Sequence, residues 1–282
     1  MMRRQDINIR DPFVLTSREE QCYYLYGSTS MSAGPHLEVF RSQDLENFTA
    51  PISLFTPPKD FPWPKLFWAP EVKFHGGKYY LTVTMAAPEQ PKGTLILSAD
   101  SPTGPFTLHS DGPVTPRDWE CLDGTLFFDE DNVPWMVFCH EWVQIDDGTL
   151  ELIRLSPDLK QAVSGPLTLF HASDGPWVKP LKPGKYVTDG PFVFHDADKG
   201  LSLLWSSFGK DGYAIGVSRS SSGLLQGPWV HEEHALFDID GGHAMLFDTL
   251  DGQRMISFHA PNRGPLERAV FKPACGQNGL FS

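Results

Sequence analysis

The sequence predicts an all-β protein built as a five-bladed β-propeller. Three observations predict it. Short apolar runs of strand length alternate with turn formers, no helical periodicity persists over a dozen residues, and one strand motif returns five times at similar spacing. The 282 residues include 25 glycines and 25 prolines, which interrupt the chain every few positions. With 40% hydrophobic and 12% aromatic residues the chain can bury a sizeable core. No linker separates the repeats, so residues 1–282 are expected to form one domain.

The motif that returns is an apolar strand ending in a small polar residue. It appears as Tyr23–Ser28, Tyr79–Thr84, Pro134–Cys139, Leu201–Ser206 and Arg254–His259, with starts 53 to 67 residues apart. Each copy is preceded by another run of strand length. These begin near Asp11-Pro-Phe-Val-Leu, Glu71-Val-Lys-Phe, Asp123-Gly-Thr-Leu-Phe-Phe, Asp189-Gly-Pro-Phe-Val-Phe and His243-Ala-Met-Leu-Phe. A third run follows each copy, at 37–41, 94–98, 150–155, 213–218 and 267–271, and most units add a fourth, such as 52–55 and 167–170. Turns of the Ser-x-Asp-Leu kind close two of the third runs, at Ser42–Leu45 and Ser156–Leu159. Three or four antiparallel strands repeated five times make a propeller, which leaves only short sheet edges and suits a monomer or small homo-oligomer. The fifth unit is short after Phe271, so the sequence leaves the closure of the ring open.

In a propeller the first strand of each blade lines the central axis. Asp11, Glu71, Asp123, Asp189 and His243 should therefore meet at one channel mouth although they are spread along most of the chain. Carboxyl groups sharing one pocket point to acid–base chemistry on a neutral polar substrate. Asp-Gly occurs eight times, and most copies should be surface hairpin turns. Asp123 and Asp189 differ because they stand at a first-strand position. Glu141, in Phe138-Cys-His-Glu-Trp142, follows a core strand and is a further candidate acid. Trp68, Trp142 and Trp205 lie near strand ends, where an indole can cover the apolar face of a sugar. Residues 258–263 could line the rim, and Arg219 could pair with a pocket carboxylate.

The net charge of −12 and pI near 5.2 argue against nucleic acid or an anionic membrane surface as partner. The first residues carry positive charge with no apolar stretch behind them, and no apolar run approaches the roughly 18 residues that span a bilayer. The four cysteines lack metal-like spacing, and two of them, Cys22 and Cys139, sit in or beside strand-like runs and read as reduced buried thiols. A cytoplasmic location is expected on these grounds. No phosphate-cradling glycine loop is present, so no organic cofactor is implied. Few basic residues stand near the strand mouths (Arg10, Lys73 and Arg219), which argues against a phosphorylase, and the acids at the axis argue against a protein-binding scaffold.

Four motifs in order, Arg10-Asp11-Pro12, Trp68-Ala-Pro-Glu71-Val72, Leu122-Asp123-Gly124 and Thr188-Asp189-Gly190-Pro191, resemble glycoside hydrolase family 43 over nearly the whole chain. The resemblance implies a five-bladed propeller and an inverting glycosidase acting on arabinofuranosyl, xylosyl or galactosyl linkages of plant-type oligosaccharides. It implies Asp11 as general base and Asp123 as the residue that tunes the acid and holds the sugar. It implies Asp189 as general acid; Trp68, whose motif matches, is a candidate sugar contact together with Glu71, Trp142, Trp205 and His243. A histidine near the axis in that family suggests that His243 helps hold a metal ion, a calcium being the candidate, although none is required. One departure stands out: the family has Glu in Thr-Glu-Gly-Pro where this chain has Asp189. The arm is shorter by one methylene, roughly 1.5 Å, whereas inversion needs carboxyl groups roughly 6.5–9.5 Å apart and a proton donor within hydrogen-bond reach. Either Asp189 protonates a leaving group held closer, or Glu141 supplies the proton, or the chain is a weak or inactive carbohydrate-binding propeller.

Overall fold

Five antiparallel sheets radiate from one axis in the computed structural model, which describes residues 1–29, 36–196 and 199–274. From the axis outward, blade one contains Ile9–Ser17, Cys22–Thr29 and Leu37–Ser42, with Ile52–Phe55 and Asn47–Phe48 beside the last. Met2–Arg3 pairs with Asn47–Phe48 and adds to the same sheet. Blade two is Lys65–His75, Lys78–Ala86, Gly93–Ala99 and Thr107–Leu108. Blade three is Cys121–Phe128, Pro134–His140, Thr149–Arg154 and Leu167–His171. Blade four is Asp189–Asp196, Gly200–Gly209, Gly212–Ser220 and Trp229–His231, and blade five is Gly242–Asp248, Arg254–Ala260 and Arg268–Pro273. The strands read from the sequence are these strands, and the short fifth unit has three.

The second strand of each blade is apolar without alternation because both of its faces are covered by neighbouring blades. Residues 201–207 are buried without interruption, as are 22–27 and 136–140. The polar residue that ends each such run has a specific task. Every innermost strand carries a β-bulge at the same point, where a residue turns into the left-handed region: Asp11, Ala69, Asp123, Gly190 and His243, with φ between 47° and 56°. The bulge leaves that residue's N–H without a ladder partner. The last residue of the preceding blade's second strand accepts it. Ser28 Oγ accepts from Ala69 N at 2.8 Å, Thr84 Oγ1 from Asp123 N at 2.9 Å, and Ser206 Oγ from His243 N at 2.8 Å. His259 Nδ1 accepts from Asp11 N at 3.2 Å, which carries the pattern from blade five to blade one. In blade three the equivalent residue is Cys139, and a thiol is a weak acceptor. There the N–H of Gly190 goes to Asp123 Oδ2 at 3.0 Å instead.

Among the described residues the ring closes without a strand shared between blades five and one. Side chains bond across that seam to backbone. Ser257 Oγ donates to the Pro12 carbonyl at 2.8 Å, Thr16 Oγ1 to the Asp248 carbonyl at 2.6 Å, and Leu250 N to Tyr23 Oη at 2.9 Å. Cys22, Cys121 and Cys139 are free and buried, and Cys275 lies outside the described residues. Among the described residues no helix is long and apolar enough to cross a membrane.

Thr84 and Ser206 are fully buried, so Thr84→Val and Ser206→Ala strand a buried N–H each. Each should lower stability by about 1–3 kcal/mol in urea unfolding, where an average exposed serine changed to alanine should stay within about 0.5 kcal/mol.

Candidate active site

A cavity of about 750 Å³ opens at one mouth of the axis, and Asp11, Asp123, Glu141, Asp189 and His243 all line it. Two rings of residues build it. The left-handed bulge residues form one, contributing Asp11, Asp123 and His243. The residues one position earlier form the other: Arg10, Trp68, Leu122, Asp189 and Gly242, each paired with the polar end of its second strand. Asp11 and Asp189 therefore leave the backbone at different registers. Blade four has Gly190 at the bulge, where a Cβ would lie 2.7 Å from the His243 ring. Blade five has Gly242 one residue before its bulge, where a Cβ would lie 2.2 Å from the Tyr213 ring. Both glycines leave room for the aromatic groups that contact the acids.

Asp11 is held ionised. Burial opposes its charge, but His243 Nδ1 at 3.1 Å from Oδ1 and the guanidinium of Arg10 hold the carboxyl well below the usual carboxylate range. Ser28 Oγ donates to Asp11 Oδ2 at 2.6 Å and so orients it. His259 below is fully buried and neutral, its pKa lowered to about 4 chiefly by burial, which leaves Nδ1 free to accept the Asp11 N–H. Asp123 lies 3.6 Å from His243 Nδ1. Burial and repulsion from Asp11 push it up to about 6, against the pull of His243 and the Gly190 N–H. Asp189 is pushed well above the carboxylate range by burial and by Asp123, and the Tyr213 hydroxyl, donating to Oδ2 at 3.0 Å, only partly offsets this. One cavity thus favours the ionised form of one carboxyl, Asp11, and the protonated form of another, Asp189.

Glu141 enters from a four-residue helical turn, Trp142–Ile145, that follows the second strand of blade three. Its carboxylate is ion-paired with Lys92, and both side chains are nearly covered. The opposite wall is a network the sequence did not reveal. Glu267 is 2% exposed; its Oε1 accepts from Arg10 Nη1 at 3.3 Å and its Oε2 from Asn8 Nδ2 at 3.2 Å. Tyr213 was visible in the sequence only as the start of a third run, and its place against Asp189 depends on the register of two strands of one blade with a third strand between them. Lys92 gave no signal at all, standing in a connection before a strand.

Trp68 is 40% exposed on the cavity and keeps a free indole face. Glu71 is corrected. Counted from the bulge, the blade-two equivalent of Asp11 is Ala69, and Glu71 lies two residues deeper along the axis. It is 7% exposed, accepts from Thr125 Oγ1 at 2.7 Å, and is absent from the cavity wall; burial pushes its pKa up to about 7. Trp205 is corrected too. It has no exposed surface, packs between Phe170 and Trp177, and donates Nε1–H to Ser218 Oγ, so no ring face is left for a sugar. Trp142 stands beside Glu141 but outside the cavity wall, with the Lys182 ammonium 5.9 Å from its ring centroid. Arg219 pairs with Asp196 and Glu232, away from the cavity.

His243, expected to help hold a metal ion, lies against two carboxylates. Its Nδ1 faces the Asp11 carboxylate. Burial alone would lower its pKa, but Asp11 and Asp123 raise it to about 9, so the ring carries a proton at neutral pH. A calcium ion takes about six to eight oxygen ligands, and among the described residues no group of three or more His, Cys, Asp or Glu is arranged to hold a metal ion.

A propeller whose axial cavity sets an ionised carboxylate and a protonated carboxyl under an exposed indole has the layout of a sugar-processing protein. A match to glycosyl hydrolases family 43 covers residues 6–274, and the chain belongs to that family. It is similar to the crystal structure of an endo-arabinase from Bacteroides thetaiotaomicron, with a TM-score of 0.92 and 39% identity over 100% of this chain and 99% of that one. A structure described as an endo-1,4-beta-xylanase from Bacteroides thetaiotaomicron shares the fold, with a TM-score of 0.79 at 24% identity over 97% of this chain and 93% of the other. An extracellular endo-alpha-(1->5)-L-arabinanase from Bacillus subtilis is 24% identical over 160 residues, 53% of this chain. That match spans about half, 48%, of the relative's own length.

A histidine whose pKa rises on folding stabilises the fold fully below its unfolded value of 6.5 and loses that contribution as pH climbs through about 9. Wild-type unfolding free energy should therefore decline between pH 6.5 and 9, and His243→Gln should flatten that decline in urea titrations at each pH.

Proposed function

We propose that this chain is an inverting glycoside hydrolase that cleaves arabinofuranosyl linkages in arabinan-type oligosaccharides. The observation that carries the reading is the opposite protonation of two acids in one cavity: Asp11 without its proton, Asp189 with it. Asp11, aimed by Ser28 and His243, removes a proton from the attacking water. Asp189 gives its proton to the leaving oxygen, and the departing sugar takes that oxygen as a hydroxyl. Asp123 tunes the transfer: its carboxylate is tied to the Gly190 N–H, next to Asp189 along the chain, and its charge favours the protonated form of Asp189. Trp68 provides a stacking face at the rim. Arabinan is favoured over xylan because the endo-arabinase likeness runs over both chains at 39% identity.

The Asp at position 189 favours a second reading, a carbohydrate-binding propeller with weak turnover, since its arm is one methylene short of the family's Glu. A panel of linear arabinan oligosaccharides and aryl arabinofuranosides, xylosides and galactosides separates the two. Asp11→Asn should abolish turnover of every substrate. Asp189→Asn should slow substrates with poor leaving groups by about 10²–10⁴ and activated aryl glycosides far less, and NMR of the fresh product should find the inverted anomer. Binding without turnover by the wild type would establish the second reading. The wild-type rate should hold well below pH 4, because Asp11 stays ionised there, and should fall only at a pH above the ordinary carboxylate range, where Asp189 loses its proton.

A further inference from the structure

Glu141 is the one acid of the cavity with a lysine against it. Lys92 Nζ pairs with Glu141 Oε2 and also donates to Glu120 Oε2 at 2.9 Å, so one nearly covered cation is shared by two carboxylates. Side-chain exposures are 12% for Lys92, 14% for Glu141 and 32% for Glu120. The backbone locks all three. Glu141 N donates to the Glu120 carbonyl at 2.8 Å, Cys121 N to the Lys92 carbonyl at 3.0 Å, and Lys92 N to Glu120 Oε2 at 3.3 Å. Gln144, from the helical turn after Glu141, accepts from Glu120 N at 2.8 Å and bonds His140 at 2.7 Å, while Trp119 stacks on His140. Such a frame holds Glu141 in one position. Glu141 lines the cavity and Lys92 does not, so the carboxylate faces the site and the cation stands behind it.

We infer that Lys92 and Glu141 form a charge clamp in which Glu141 is a fixed negative charge beside Asp189 and not the proton donor. The Glu141 carboxylate is committed to the ion pair with the nearly covered Lys92 behind it. A negative charge near Asp189 makes ionisation of that carboxyl harder. The groups facing Asp189 are Tyr213 on its own blade; Asp123, Glu141 and the Cys139 thiol on blade three; His243 on blade five; and Arg10 on blade one. Those facing Glu141 are Lys92, Glu120, Asp123, Asp189 and Cys139. Of the negative charges, Asp123 and Glu141 act against ionisation of Asp189, and Asp123 is partly neutralised by His243 at 3.6 Å. The clamp supplies a second such charge, independent of the base side of the site. It also gives this chain a means to keep a proton on the shorter acid. Only this catalytic consequence rests on Asp189 being the donor.

The test follows the Asp189 carboxyl by ¹³C NMR pH titration in the whole protein, with Asp189→Asn to assign the resonance, beside kcat/KM against pH on arabino-oligosaccharides. Glu141→Gln removes the negative charge at nearly constant shape. It should move the Asp189 midpoint and the alkaline limb of the rate down by roughly half a unit to one unit. Lys92→Met leaves the Glu141 charge less compensated and should move both upward. Midpoints that stay in place, or that move in the same direction in two folded variants, overturn the clamp. So does a loss in Glu141→Gln confined to substrates with poor leaving groups, which would make Glu141 the donor. If the midpoints move as expected and the rate does not follow, the clamp stands and the assignment of Asp189 as donor falls.

Discussion

A backbone N–H turned out of its ladder must find an acceptor, and this need connects the blades and builds the site. At each inner strand the bulge residue enters the left-handed region. For Ala69 and His243 that costs about 1–2 kcal/mol each; glycine pays nothing there and aspartate less. The strain persists because the displaced N–H is satisfied from the neighbouring blade, by Ser28, Thr84, Ser206 or His259. The same turn that frees the N–H points the side chain of the bulge residue toward the axis. The interblade bond and the placement of Asp11, Asp123 and His243 are one structural event.

The cavity then sorts its acids by where cations stand. Burial pushes Asp11, Asp123 and Asp189 toward the protonated form. Asp11 escapes because His243 and Arg10 face it, and Glu141 is matched by Lys92. Among the described residues Asp189 has no cation in contact, only the neutral hydroxyl of Tyr213, and burial and Asp123 favour its protonated form. Asp123 lies between these extremes, drawn to His243 and repelled by Asp11. Opposite protonation in one pocket comes from the placement of three cationic side chains and needs no difference in depth.

Tryptophans near strand ends look alike in a sequence and separate in the fold. Trp68 sits one residue before a bulge, in a strand with a second irregularity at residues 66–68, and its indole stays partly in the open. Trp205 lies one residue before the end of its run, where successive side chains point to opposite faces, so it enters the core between blades. The strand an indole stands on, and its place along that strand, decide between cavity wall and core.

The sequence by itself determined the propeller, the number of blades, and the presence of Asp11, Asp123, Asp189, Glu141 and His243 in one site. These rest on local signals: apolar runs, turn formers and a period of 53 to 67 residues. It held the interblade acceptors too, as the polar ends of the second strands, without revealing what they bond. Only the tertiary structure decided that Glu71 lies below the cavity, that Trp205 is core, that Tyr213 meets Asp189 and that Lys92 meets Glu141. The reason is physical. Position within a repeat names the strand and its end, whereas the bulge moves the register by one and each of these contacts joins residues whose neighbours are set by how strands and blades pack.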